Sequence, residues 1–140
     1  MSNPFDTTWN LQKSVFETLA TAPDILVQIG DPPRLYDAPP TNARYPFAVI
    51  GEARTRDYAG IDGGLEHEIR IAIYSRYAGR REVKEISAAI YDVLHEAELV
   101  LPNAALVNIR FVFADALRNA DGETYYGAVR FRAVTQPLEA

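Results

Sequence analysis

A chain of 140 residues with 48% hydrophobic content fits one globular domain spanning residues 1–140. Its formal net charge of -5 excludes a protein that coats nucleic acid over its whole surface, because that work relies on broad phosphate neutralisation. The absence of cysteine excludes a disulfide framework, thiolate metal sites and a thiol nucleophile.

The amino terminus, MSNPFDTTWNLQKS, lacks a basic segment followed by an apolar one, and no apolar run approaches the ~20 residues of a bilayer span. The sequence therefore reads as a soluble, unexported protein with no membrane partner. The first predicted element is a helix over about Thr7 to Ala22. Leu11, Val15, Leu19 and Ala22 recur at helical spacing, Asp6 or Thr7 can cap the free amide groups, and Pro23 ends the helix. The next segment, GDPPRLYDAPPTNARYPF, is rich in proline, which lacks the donor that helices and central strands require. Leu35, Tyr36, Tyr45 and Phe47 give it apolar surface to bury, so it reads as an ordered loop with a short edge strand at Arg34 to Tyr36, not as a domain linker.

Phe47 to Thr55 reads as a strand, Arg56 to Gly64 as a glycine-rich turn, and Leu65 to Tyr77 as a second strand. Within that second strand Ile69, Ile71 and Ile73 face one way, and Glu66, Glu68 and Arg70 the other. Gly79 breaks the chain direction. Val83, Ile86, Ile90, Val93, Leu94 and Ala97 then mark one face of a helix from about Arg80 to Glu98. Two more strands follow, Ala105 to Leu117 and Thr124 to Thr135, joined by RNADGE with its Asp121-Gly122 hairpin signal. Val107, Ile109, Phe111 and Phe113 alternate in the first, Val129 and Phe131 in the second.

The order α-β-β-α-β-β predicts an α+β domain, a largely antiparallel four-stranded sheet with two helices packed on one face. Strands of about a dozen residues exceed the usual length of about 5–6. The long hairpins should therefore project beyond the core, where such arms commonly meet another copy of the chain.

The residues offer little for catalysis. His67 reads as a rim residue on a strand and His95 as a cation at a helix carboxyl end. The pairs His67-Glu68 and His95-Glu96 lack the second histidine of a zinc-binding helix, so no metal or cofactor is expected. Glu52, Glu66 and Glu68 could cluster, but Arg54, Arg70, Arg130 and Arg132 are placed to pair with them across strands, which suggests a solvated or subunit-facing charge lattice. Gly60, Gly63 and Gly64 precede a strand, whereas a phosphate loop precedes a helix, so they are turn glycines. The stretch YSRYAGRREVKEI gathers Arg76, Arg80, Arg81 and Lys84. Arg80 and Arg81 fall in the first turn of a helix, where positive charge is unfavourable unless offset. Glu82 and Glu85 can offset it, with Arg81 and Glu85 at the i,i+4 spacing. A bound phosphate or a partner's carboxylate is the alternative.

The run YPFAVIGEARTRDYAGIDGGLEHEIRIAIYSRYAGRREVKEISAAIYDVL, with the opening helix, the RLYDAPP loop and the closing RNADGETYYGAVRFRAVT, resembles the phage family DUF3168. These are the tail completion or tail terminator proteins of long-tailed phages and gene transfer agents. The resemblance covers nearly the whole chain and is most specific in YSRYAGRREV and in the ending GAVRFRA. It implies a non-catalytic, cofactor-free α+β subunit that forms a hexameric ring with itself at the head-proximal end of the tail tube. Its other partners would be the tail tube protein and a head-tail connector or stopper protein, with DNA passing through the lumen without specific binding. Such a protein assembles in the bacterial cytoplasm and resides in the tail neck of the virion. On this reading Arg76, Arg80, Arg81, Glu82, Glu85, Arg130 and Arg132 meet a neighbouring subunit. Arg56, Asp57, Tyr58, Asp62, Arg118, Asp121 and Glu123, at the hairpin tips, touch the tube or the connector. Two other readings remain, another neck component such as a head-closure or stopper protein, and a small-ligand-binding domain or enzyme built around His67 with Glu52 or Glu66.

Overall fold

Asn3 opens the first helix in the computed structural model, which describes residues 3–138 and all their side chains except that of Glu52. Its Oδ1 accepts the Asp6 N–H at 3.0 Å, and Asp6 Oδ2 accepts the Asn3 N–H at 3.4 Å. This reciprocal cap starts α1 at Pro4–Ala20, earlier than a cap at Asp6 or Thr7 would allow. Pro23 does more than end that helix. It is the first residue of α2, Pro23–Ile29, where a missing N–H costs nothing because no acceptor precedes it.

The remaining elements are β1 (Leu35–Tyr36), β2 (Phe47–Asp57), β3 (Leu65–Ser75), α3 (Arg81–Leu94), β4 (Ala104–Ala114), β5 (Leu117–Arg118) and β6 (Tyr125–Pro137). The α+β class holds, but the order departs from α-β-β-α-β-β. Among the described residues there are three helices and a six-stranded sheet ordered β1-β2-β3-β6-β4, with β5 also on β6. β1 falls on the short edge strand expected at Arg34 to Tyr36, whereas β5, two residues long, is too short to show an alternation in sequence. Every pairing is antiparallel except that of β1 with β2. The proline-rich loop is fixed to β2 where the Arg34 Nε–H donates to the Pro46 carbonyl at 2.8 Å.

One face of the sheet carries the core. Ile69, Ile71 and Ile73 of β3, Val129, Phe131 and Ala133 of β6 and Ile109 of β4 meet Leu11, Val15 and Leu19 of α1 and Val83, Ile86, Ile90 and Leu94 of α3. Ile25 and Ile29 of α2 join the same cluster. Fully burying one such side chain is worth about 1.5–3 kcal/mol.

α3 ends at Leu94, short of Glu98. His95 leaves the helix in an extended conformation, and Glu96 at φ 58 turns its N–H to the Ile109 carbonyl at 2.7 Å. The Phe111 N–H donates to His95 Nδ1 at 3.1 Å. The end of α3 thus occupies hydrogen-bonding groups on the outer edge of β4, which would otherwise be an open edge. Two register shifts, at Leu106/Asn108 and Phe111/Phe113, break the expected alternation of β4. Ile109 is fully buried, but Val107 and Phe113 are about half exposed, at 45% and 46%.

Candidate interaction surfaces

The strand-to-helix junction is closed by the chain's own groups. Ser75 Oγ donates to Glu82 Oε1 at 2.7 Å and accepts the Tyr77 N–H at 3.1 Å, while Gly79 turns the chain at φ 97. Arg76 Nε donates to Thr124 Oγ1 at 3.3 Å, and its guanidinium lies 4.4 Å from the centre of the Tyr45 ring. Arg80 Nε donates to the Ala116 carbonyl at 3.2 Å, with Tyr125 5.9 Å away. Arg76 and Arg80 therefore reach the β5–β6 hairpin and tie the junction to it. Arg81 bonds Glu85 at 2.6 Å across one helical turn, as the spacing predicts, and its side chain remains 81% exposed.

The helix-free face of the sheet holds the charge lattice, with a pairing different from the expected one. Glu66 receives Arg132 at 2.6 Å and Arg56 at 3.4 Å, and Arg56 also reaches Glu68 at 3.6 Å. The bond to Glu66 is the first cause of a raised Arg132 pKa. Arg54, Arg70 and Arg130 do not form the ion pairs expected with Glu66 or Glu68, and the Glu52 side chain lies outside the described ones. Register accounts for Arg70 and Arg130, which sit directly opposite each other, but not for Arg54, which lies opposite Glu68 without pairing with it. Arg130 instead lies 5.9 Å from the Phe113 ring centre. The other half of this face is aromatic, with Phe47 stacked on Tyr74 at 5.0 Å and Tyr74 on Tyr126 at 6.5 Å.

The two hairpin tips differ. In the first, the Tyr58 N–H donates to the Gly64 carbonyl at 2.9 Å and the Tyr58 ring lies 5.6 Å from the Arg132 guanidinium, which anchors the tip to β6. In the second, Asp121 accepts the N–H groups of Thr124 at 2.8 Å and Glu123 at 2.9 Å and the Thr124 hydroxyl at 2.7 Å. These bonds, the Thr124 N–H foremost, lower the Asp121 pKa below the ordinary carboxylate value. Arg118 Nη2 donates to the Gly122 carbonyl at 3.2 Å. Asp57, Asp62 and Glu123 are exposed and make no side-chain hydrogen bond among the described residues.

His67 does not take its expected place at the rim of the sheet. His67 is a core residue with 1% exposure, its Nε2 2.9 Å from Thr135 Oγ1 and its Nδ1 3.2 Å from Thr55 Oγ1. Burial lowers its pKa from 6.5 to about 4. Glu66 projects from the opposite face of β3, so no pocket joins it to His67, and the Glu52 side chain lies outside the described ones. His95 caps the carboxyl end of α3, where it was expected, stacks on Tyr91 at 4.6 Å and accepts the Phe111 N–H at Nδ1. Among the described residues no group of three or more acidic or histidine side chains is arranged to hold a metal ion, and no helix is long and apolar enough to cross a membrane.

One surface feature has no counterpart in the predicted sites. Phe5, Trp9 and Phe16 stand exposed along α1, on the side away from its buried stripe. Their spacing of four and seven residues is helical and could have revealed a second stripe.

Residues 13–136 match the model of a family described as tail completion protein gp17. A chain of the solved structure described as "Virion of native gene transfer agent (GTA) particle" superposes with a TM-score of 0.83 at 27% identity, over 92% of this chain and 96% of that one. No curated protein matches the sequence.

Proposed function

Because the chain belongs to the tail completion protein gp17 family, we propose that it forms a hexameric ring that ends tube polymerisation at the head-proximal end of a phage or gene-transfer-agent tail. It is a structural tail completion protein and not an enzyme. The observation that carries the proposal is the near-complete overlap, 92% of this chain and 96% of the other, with a chain from a gene-transfer-agent virion.

In this reading the protein resides in the tail neck and is assembled in the bacterial cytoplasm. The ring docks on the tube on one side and on a connector or stopper protein on the other, and DNA passes through its lumen. Arg76, Arg80, Arg81, Glu82, Glu85, Arg130 and Arg132 order or contact the subunit boundary. Arg56, Asp57, Tyr58, Asp62, Arg118, Asp121 and Glu123 meet the tube or the connector. The exposed Arg81 and the carboxylates of Asp57, Asp62 and Glu123, which make no hydrogen bond among the described residues, support these roles, because each keeps bonding capacity for another chain.

Sedimentation and negative-stain imaging test the ring, with a closed assembly of six copies expected. Purified protein should restore normal length and head attachment to tails made without it. Rescue of a head fraction instead would identify a stopper. Charge reversal at Arg80 and Arg81 that leaves the assembly intact would remove those two residues from the boundary.

A further inference from the structure

α1 carries two stripes. Thr7, Leu11, Val15 and Leu19 are buried. Phe5, Trp9 and Phe16 fall within about 40° of one another around the helix, at 3.6 residues per turn. They are 83%, 53% and 37% exposed. Asp6 and Glu17 are exposed beside them, and Lys13, the one basic residue of α1, lies 5.8 Å from the Trp9 ring centre. The surface is aromatic and acidic. Contiguous exposed aromatics of this kind mark an interaction site.

The helix-free sheet face has the opposite character. Among the described side chains Arg54, Arg56, Arg70, Arg130 and Arg132 outnumber Glu66 and Glu68 there, and Arg70 faces Arg130 across neighbouring strands. Apposed like charges are unfavourable unless an anion lies between them. Half-exposed Val112 and Phe113 border a shallow groove with Arg130 and Arg132, whose lining also includes Glu68 and Asp115. The sheet itself separates this face from α1, so one chain cannot join the two surfaces.

We propose that α1 of one copy seats Phe5, Trp9 and Phe16, flanked by Asp6 and Glu17, on the arginine-lined sheet face of the next copy. The inference rests on the ring reading and names the two surfaces that build it. Because the surfaces differ, the contact is heterologous, the type that closes into rings. Charge and apolar character are complementary at once. Phosphate would suit the arginines but would leave Val112, Phe113 and the α1 aromatics in water, so a second copy is the better occupant.

The full chain has one tryptophan and no cysteine, which makes the contact directly readable. Lys13→Cys and Val112→Cys proteins, mixed with a short thiol cross-linker, should join far more readily than Lys13→Cys with Val100→Cys, a control position that is 90% exposed. Equal joining overturns the proposal. Trp9 emission should shift to shorter wavelength over the concentration range in which sedimentation shows assembly, and Arg130→Glu should raise that range about tenfold or more, as loss of a central interface residue does. Ring-sized particles with unshifted Trp9 emission would overturn this contact and leave the ring standing. A chain that stays monomeric at every concentration and shows no selective joining overturns the contact as well, while tail rescue separately decides the ring. If Arg130→Glu abolishes binding to a short DNA duplex without changing the assembly range, the face is a nucleic-acid surface and the proposal fails.

Discussion

β3 and β4 are each eleven residues long and both pair with β6, yet only β3 keeps a straight alternation. β3 pairs with β6 without interruption from Leu65 to Ser75 and carries β2 on its other edge, so its register is held from both sides. A slip by one residue would turn its isoleucines to solvent. Among the described residues β4 has one strand neighbour, and His95 and Glu96, just past α3, bond to its outer edge. There the chain can bulge twice and turn Phe113 outward at a cost confined to the edge. Central strands are specified by burial, and edge strands by what their neighbours leave open.

The most damaging substitution should come where the two strands depend on the same residue. Gly127 of β6 lies opposite Ile73 of β3, and a Cβ there would overlap the Asp115 carbonyl oxygen and approach Val83 Cγ1 to 2.8 Å. Asp115 is where the chain leaves β4, held by its N–H to the Ala128 carbonyl and by Oδ1 to the Ala128 N–H. Gly127→Ala must displace backbone, so about 4 kcal/mol of stability should be lost in denaturant unfolding. Hydrogen exchange should show the β4–β5 end opening before β3.

Ile71→Ala, in the fully buried middle of β3, should cost about 3 kcal/mol by the same measurement, through lost burial and the cavity left behind. Little or no change would mean that β3 is less specified by its core than its register implies.

This contrast also marks what the sequence made legible. In β3, isoleucine at every second position between polar residues leaves one reading, and the burial of α3 follows equally from its spacing. Val107, Ile109, Phe111 and Phe113 show the same period in β4. What redirects them is the bonding of His95 and Glu96 to the outer edge, which no local pattern announces. α2 was hidden because Pro23 signals a helix end and a helix start equally well. The basic cluster from Arg76 to Lys84 was visible, whereas the partners of Arg76 and Arg80 were not, since Thr124, Ala116 and Tyr45 are remote in the chain. The inward direction of His67 follows from its alignment with Ile69 and Ile71. Its burial required knowing that Thr55 and Thr135 close over that end of the sheet.

That burial gives β3 a pH response. His67 titrates at about 4 when folded and at 6.5 in the reference state, so between these values the unfolded chain binds more protons and stability rises with pH. Lowering the pH through this window should remove up to about 3 kcal/mol, at 1.36 kcal/mol per pH unit of separation. His67→Leu should flatten this part of the pH-stability curve; an unchanged slope would assign the acid loss to carboxylates instead. On the outer side of β3, Glu66→Gln removes the pairs with Arg132 and Arg56. Their side chains are 38% and 59% exposed, so solvent screens them and the loss should be under about 1 kcal/mol and smaller still at high salt.

Phe113→Ala should show the least effect on the folded chain. The ring is 46% exposed and lies against the guanidinium of Arg130, itself exposed, so truncation leaves no cavity in the core. Unfolding stability should stay within about 0.5 kcal/mol of the parent. Self-association should weaken, because Phe113 would then lose a surface it covers only in the assembled state. This pair of measurements separates the two explanations of an outward phenylalanine on β4. Loss of both stability and assembly would make Phe113 a misplaced core residue, whereas loss of assembly alone would show that the second bulge turns the side chain toward another copy.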